Sequence, residues 1–321
     1  MKIRTELQPW PYKRPFKIAY HTFTERDQLY VEVEADGLIG RGEAAGHPHL
    51  STMEEGVSQI KSLDVTALTP ESLQNLMPRG PGRNALDCAL WDLRCKQLNK
   101  RIWEVLDLPA PRPLTTAFTI GIADEQVMVD EAVRMSDFSV LKLKVDGESG
   151  FELLAAIAEA RPDAEFIIDA NEGWADSQLS AFLDQSASFP IRLIEQPLHR
   201  DRDQMLASIK PPIPCAADES FHGLEDVEAL SNRYQVINIK MDKIGGLTEA
   251  LAAAKRAREL GVGVMIGCNG GTSLGIAPAY CIGLLADYID LDSPLLLASD
   301  REHALNYKGG QVYPPATELW G

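Results

Sequence analysis

The stretch Val140-Leu141-Lys142-Leu143-Lys144-Val145-Asp146-Gly147 alternates apolar and charged residues before a turn dipeptide, the pattern of a β-strand. Side chains on a strand alternate between its two faces, so Lys142 and Lys144 share one side while Leu141, Leu143 and Val145 share the other. Taken alone, two lysines on one face read as the solvated side of an edge strand. The chain that follows gives them another meaning. From about residue 113 onward, short apolar strands alternate with helical stretches. TTAFTIGI, VLKLKVD, EFIIDANEG, IRLIEQPL, IPCAADES, VINIKMDKIGG, GVGVMIGC and YIDLDSP are the strands, with a helical pattern between each pair. Eight strands separated by seven helices imply a parallel sheet, and eight units fit a closed barrel with its helices outside. An open doubly wound sheet is the alternative, but no glycine-rich phosphate fingerprint follows the first strand.

The region before it is mixed. QLYVEVEADGLIGRGEA reads as two strands joined through Asp36-Gly37, a hairpin signal. RNALDCALWDLRCKQLNKRIWEVL reads as a helix, with Leu86, Ala89, Leu90, Leu93 and Leu98 at helical spacing. Pro109, Pro111 and Pro113 then punctuate LPAPRP. The expected division is a first domain over 1–112, an α/β barrel over 113–298, and a C-terminal segment, 299–321, without a ninth unit, that packs back on the first domain.

A net charge of −16 over 321 residues argues against nucleic acid and against anionic membrane surfaces. No secretory h-region and no run of about 18 apolar residues is present. Five cysteines, odd in number and without zinc spacing, read as reduced buried thiols, so a cytoplasmic protein is expected. A homo-oligomer is compatible with these features.

In barrels of this kind, catalytic residues cluster at the C-terminal ends of the strands. Those ends carry Lys142 and Lys144, then Asp169, Glu195, Asp218, Lys240, and finally Asp290 and Asp292. From Lys144 to Lys240 the steps are 25, 26, 23 and 22 residues, each about one βα unit. Any one acid alone reads as a turn or cap residue. Three consecutive carboxylates at one level would repel one another, and a hard divalent cation with open positions for water and substrate, such as Mg²⁺, removes that problem. The second and sixth strands lie four steps apart in a ring of eight, so Lys144 and Lys240 face each other across the mouth, with the acids in the arc between. Two bases flanking one carbon can remove a proton from one side and return it on the other. Burial, the cation and the neighbouring lysines are expected to lower the lysine pKa values toward a working range, with Lys142 acting on Lys144 and helping to bind a carboxylate.

As a set and in this order, KLK at 142–144, DAN at 169–171, EQP at 195–197, ADES at 217–220 and IKMDKIGG at 239–246 resemble the enolase superfamily, and within it the muconate-lactonising-enzyme subgroup. The resemblance spans nearly the whole chain and implies an α/β fold, a (β/α)7β modified TIM barrel with an α+β capping domain built from the N-terminal third and the C-terminal tail. It implies one Mg²⁺ per subunit on Asp169, Glu195 and Asp218, Asn171 supporting that set from outside it, and Lys144 and Lys240 as the acid/base pair. RNALDCALWDL looks like that family's helix between cap and barrel. No histidine stands at the end of the sixth or seventh strand, which argues against the mandelate-racemase type of His–Asp base. DLDSP looks like the DxD signature of dipeptide epimerases, in which Asp290 and Asp292 would hold the ammonium of a dipeptide substrate; the competing reading is that Asp292 caps the turn before Pro294. In FKIAYHTFTERDQ, His21 and Arg26 are the candidates to meet a substrate side chain, and His47 and His49 fall in a second loop read as surface. The seventh strand ends GCNGGTSLG, without the acidic residue that relatives often carry near Gly271. The expected reaction is epimerisation of a dipeptide at its C-terminal α-carbon through an enediolate. The alternatives on the same scaffold are o-succinylbenzoate synthase, N-acylamino-acid racemase and muconate cycloisomerase reactions.

Overall fold

The computed structural model describes residues 1–18, 21–46, 51–66, 68–145, 150–186, 188–209 and 211–321. It begins with a three-stranded antiparallel sheet, β1 (Lys2–Ile18), β2 (His21–Ala35) and β3 (Leu38–Ala45), in that order. Asp36 and Gly37 connect β2 to β3 with φ of 53° and 77°, the two successive positive values that a type I′ hairpin turn requires. β1 is a strand that the sequence did not suggest, because Pro9, Pro11 and Pro15 interrupt it. At the edge of a sheet their missing N–H groups cost no ladder bond, and the register shifts between Pro11 and Phe16.

Three helices cover this sheet: α1 (Met53–Lys61), α2 (Pro70–Leu76) and α3 (Pro81–Leu98). Thr52 with Glu55 and Thr69 with Ser72 form reciprocal caps at the first two. A Cβ on Gly40 or Gly42 would stand 2.1 Å from the Ala89 carbonyl oxygen or 2.0 Å from that of Ala85. The bare backbone of β3 therefore lets α3 lie directly on the sheet. Leu29, Val31 and Val33 meet Leu86, Leu90 and Leu93 there in a small core of their own.

The barrel follows. β4 (Leu114–Thr115) precedes eight parallel strands: β5 (Phe118–Ile120), β6 (Val140–Lys144), β7 (Glu165–Asp169), β8 (Ile191–Glu195), β9 (Cys215–Ala217), β10 (Val236–Lys240), β11 (Gly263–Gly267) and β12 (Tyr288–Ile289). They pair in chain order from β5 to β12, and the Ala117 N–H donates to the Ile289 carbonyl at 2.8 Å, bringing the two ends together. The fourth crossover departs from the expected helix: it is a 3-10 turn over Arg200–Met205 continued by one α turn, Leu206–Ile209.

Alternation along the strands sorts their side chains. Leu141, Leu143 and Val145 face outward into the core shared with the helices. Ala117, Val140, Ile167, Leu193, Ala216, Val236 and Met265 form a separate apolar layer on the barrel axis. Two residues further along each strand come Thr119, Lys142, Asp169, Glu195, Asp218, Asn238, Gly267 and Asp290. A period of two, applied to strands in register, thus stacks a charged layer on an apolar floor.

β13 (Tyr307–Lys308) pairs with β14 (Gln311–Val312), which pairs with β4, while fully buried Trp320 donates its indole N–H to the Cys88 carbonyl on α3 at 3.0 Å. α3 is tied to the barrel by Asp87, which accepts the Thr248 hydroxyl at 2.6 Å, and by Arg83, which donates to the Ile244 carbonyl at 2.7 Å. All five cysteines are free thiols. Among the described residues no helix is long and apolar enough to cross a membrane.

Candidate active site

The charged layer opens into a cavity of about 110 Å³ at the C-terminal end of the barrel, roofed by Tyr12, Phe16, Ile18, Phe23 and Arg26 from the β1–β2 hairpin. The lysines of the opening stretch lie inside it and not on a solvated edge: Lys142 is 2% exposed and Lys144 8%. β6 and β10 are four steps apart among the eight strands, so Lys144 and Lys240 rise from opposite walls. Lys144 Nζ stands 2.5 Å from Asp169 Oδ2 and 2.9 Å from Asn171 Oδ1. Lys240 Nζ stands 2.6 Å from Asp218 Oδ2. Lys142 Nζ bridges Asp290 and Glu195, each at 2.8 Å, and Asp169 at 3.0 Å.

The strand ends are fixed by their neighbours. Asn171, with φ of 42°, turns back so that its backbone N–H donates to Asp169 Oδ1 at 3.0 Å, and its side chain donates to Glu219 at 3.1 Å. Gln196, also left-handed at φ 35°, accepts the Asp218 N–H at 2.9 Å and donates to Ser220 and Tyr234. Asn238 donates to Glu195 Oε1 at 2.9 Å. Left-handed non-glycine residues one or two positions after two of the carboxylates mark backbone held by its surroundings.

Burial and charge act in opposition here. Burial pulls Lys142 down, but Asp290, Glu195 and Asp169 outweigh it and hold the ammonium well above its ordinary value. Lys240 is likewise pulled down by burial yet left raised by Asp218 and Glu195. The neighbouring acids thus outweigh burial at both lysines. Lys243 is lowered, by burial first. Burial would raise Asp169 and Asp218, but the adjacent lysines hold both below the usual carboxylate range. Glu195 is pushed up to about 8 by burial and the Asp169 charge, and Glu219 to about 7 by burial and Asp218.

Among the described residues no three His, Cys, Asp or Glu side chains form a ready-made metal cluster, since a lysine stands on each carboxylate. The donor set nonetheless suits a hard cation. Five buried acids (Asp169, Glu195, Asp218, Asp290, Asp292) and half-buried Glu219 stand among Lys142, Lys144, Lys240 and Lys243. Glu195 Oε2 and Glu219 Oε2 are buried acceptors without a hydrogen bond; the Lys142 contact to the former is an ion pair only.

Asp290 and Asp292 line the wall beyond β12. Asp290 accepts the Thr119 hydroxyl at 3.2 Å, and Asp292 Oδ2 accepts the Thr119 N–H at 2.6 Å. Asp292 precedes the short helix Ser293–Leu296, but its side chain makes no capping bond to it. The Gly271 carbonyl accepts the Ser293 hydroxyl at 3.1 Å.

Of the two loop candidates, Arg26 reaches the cavity, lies 4.9 Å over the Phe23 ring and donates to the Gly46 carbonyl. His21 is not brought there; it is exposed, with its ring edge-on to Phe23 at 4.4 Å. His47, His49, Asp146 and Gly147 lie outside the described residues. The sequence reading missed Lys243, Glu219 and Asn238. Each lies inside a quoted motif or beside one, but only Asn238 falls on the inward period of its strand; Glu219 and Lys243 lie past the strand ends.

Residues 1–107 match the mandelate racemase/muconate lactonizing enzyme N-terminal domain, and residues 126–317 the enolase C-terminal domain-like family. The chain is 37% identical over 318 residues to the L-Ala-D/L-Glu epimerase of Escherichia coli K12, covering 97% of this chain and 99% of that one. It is 41% identical over 249 residues to an N-acetyl-D-glutamate racemase of a Pseudoalteromonas species, covering 78% and 79%. A crystal structure of an enolase family member from Agrobacterium tumefaciens with homology to dipeptide epimerases, with bound sodium and L-Ala-L-Glu, superposes with a TM-score of 0.95 at 40% identity over 99% of both chains. A dipeptide epimerase from Methylococcus capsulatus, complexed with Mg and L-Arg-D-Lys, gives 0.89 at 29% identity over 98% of both. With both halves matched and the barrel and cap shared throughout, this chain belongs to the mandelate racemase/muconate lactonizing enzyme family of the enolase superfamily.

Proposed function

We propose that this chain, an isomerase, epimerises a dipeptide at the α-carbon of the C-terminal residue by 1,1-proton transfer between two lysines. The observation that carries this is the placement of Lys144 and Lys240 on opposite walls with the Asp169, Glu195 and Asp218 carboxylates in the arc between them. One lysine, as the neutral amine, takes the α-proton; the opposite ammonium donates its own proton to the other face of the same carbon. Both roles exchange when the reaction runs backward. Asp169, Glu195 and Asp218 would hold one Mg²⁺ per subunit, which supplies Lewis-acid stabilisation of the enediolate formed from the substrate carboxylate. Lys142, central among these acids, adds positive charge at the same place. Asn171 holds Lys144 and the Asp169 carboxylate in register. Asp290 and Asp292 receive the substrate ammonium by charge-assisted hydrogen bonds. Arg26, whose Nε is unpaired among the described residues, suits an acidic side chain. The division into cap, barrel and returning tail (1–112, 113–298, 299–321) and a cytoplasmic setting for five free thiols belong to the same reading.

N-acylamino-acid racemisation is the second reading, and the 41%-identical racemase favours it. The buried acids Asp290 and Asp292 disfavour it, since an acyl group brings no charge to them. The experiment is incubation with Mg²⁺ and L-Ala-L-Glu in D₂O, followed by NMR. Deuterium at the glutamate α-carbon together with the L,D epimer supports the proposal; exchange of N-acetylglutamate alone would replace it by the second reading.

A further inference from the structure

Lys243 is the most deeply buried lysine of the cavity, at 1% exposure. Its ammonium donates to Asp218 Oδ1 at 2.7 Å and to the Asp218 carbonyl oxygen at 2.5 Å, and stands 5.6 Å from the Phe221 ring centroid. The other carboxylate oxygen, Oδ2, takes Lys240. One acid is thus held between two lysines, with Lys243 on the oxygen that Lys240 leaves. The opposite wall is built differently: Asp169 Oδ1 is fixed by a backbone N–H, and Lys144 and Lys142 share Oδ2.

Lys243 also reaches Asp218 from separate ground. It sits on the turn Met241–Ile244 just past β10, and that turn is anchored to the cap. Asp242 Oδ1 accepts the Ala45 N–H and the Asn84 amide, both at 2.9 Å. Arg83 donates to the carbonyls of Ile244 and Gly245 at 2.7 and 3.0 Å.

We propose that Lys243 is a positioning residue for only one of the two proton-transferring lysines: by gripping Asp218 through Oδ1 and the main-chain oxygen, it fixes the carboxylate that aligns Lys240 and leaves the Lys144 wall untouched. The inference rests on the two-lysine reading above. Without Lys243, Asp218 keeps its bond to Lys240 but loses the two contacts that set its rotation, and a displacement of about 1 Å at a reacting group costs on the order of 10²-fold in rate. A defect confined to one wall is a defect confined to one face of the substrate carbon.

The test compares wild type, Lys243→Met, Lys240→Ala and Lys144→Ala, each with L-Ala-L-Glu and with L-Ala-D-Glu, by the initial rate of α-deuterium incorporation in D₂O. Thermal melting and Mg²⁺ calorimetry run alongside. The expected result is that Lys243→Met slows exchange of one epimer roughly 10²-fold. It is the same epimer that Lys240→Ala silences, the other keeping its wild-type rate. Equal slowing of both epimers, or loss of Mg²⁺ binding together with both exchanges, overturns the inference and leaves Lys243 a general support of the site. Should the methionine variant not fold, Lys243→Gln, which keeps one donor, is read the same way, with the same asymmetry expected in smaller measure. A wild-type protein that exchanges neither dipeptide overturns the function itself, and is told apart from the other outcomes on that ground.

Discussion

Replacing Asp292 by asparagine decides what the far wall of the cavity recognises. Asp292 Oδ2 accepts the Thr119 N–H at 2.6 Å, and an asparagine oxygen can take the same bond, so the wall should survive. What disappears is a negative charge. Burial, then the charge of Asp290, raise the Asp292 carboxyl to about 7, so it is ionised above that pH. At pH 8.5 a bond from this carboxylate to a substrate ammonium is of the charge-assisted kind, worth about 1.5–3 kcal/mol. At about 1.4 kcal/mol per decade that becomes a loss of roughly 10- to 150-fold in kcat/KM for a dipeptide with a free amino terminus. N-acetylglutamate has no ammonium to lose, and for it the rate should hold or rise. The assay is α-deuterium incorporation into L-Ala-L-Glu and N-acetyl-L-glutamate by both proteins, with melting temperatures as the control for folding. Wild-type kcat/KM for the dipeptide should climb as pH passes through about 7, and the variant should climb less, because of the cavity acids only Glu195 and Glu219 still titrate there. Equal losses for both substrates would show that Asp292 supports the wall and does not read the amino terminus.

Lys144→Ala and Lys240→Ala should each abolish inversion by roughly 10²–10⁴-fold while sparing α-exchange of opposite epimers; NMR showing both variants silent toward the same epimer would refute the two-walled arrangement. Asp87, on α3, is raised by burial to about 7, so between its unfolded value near 4 and that pH the folded protein binds the extra proton and stability falls as pH rises. Asp87→Asn removes that dependence, so urea unfolding at pH 5 and pH 8 should show the variant gaining on wild type at the higher pH. Trp320→Ala empties a fully buried site and strips the Cys88 carbonyl of its donor, and should cost about 3–5 kcal/mol in urea titration with dipeptide exchange unaltered once folded. A cost under about 1 kcal/mol would mean that the C-terminal tail does not hold α3.

The barrel and the chemistry on its axis were legible in the chain because two short-range periods determine them. Strand pleating sends every second residue inward, and βα units of nearly constant length bring the inward charge back at one height, as Lys144, Asp169, Glu195, Asp218 and Lys240 show. The Asp36-Gly37 turn was legible for a similar reason, since it needs only two residues with positive φ. Other features depend on what lies far away in sequence. β1 survives its prolines because it falls at a sheet edge, which no local pattern announces. His21 and Arg26 are five residues apart, yet the hairpin brings only Arg26 over the cavity. Lys243 sits in a quoted motif, but that it would share Asp218 with Lys240 follows from the turn that α3 and β3 hold in place. The raised Lys142 and Lys240 show the same limit most plainly. Burial, readable from apolar neighbours, argues for lowering them; the acids that outweigh it arrive from four different strands. Periodicity is a property of consecutive residues and is written in the chain, whereas the net field at an ammonium is a sum over charges brought close through space, and only the folded structure performs that sum.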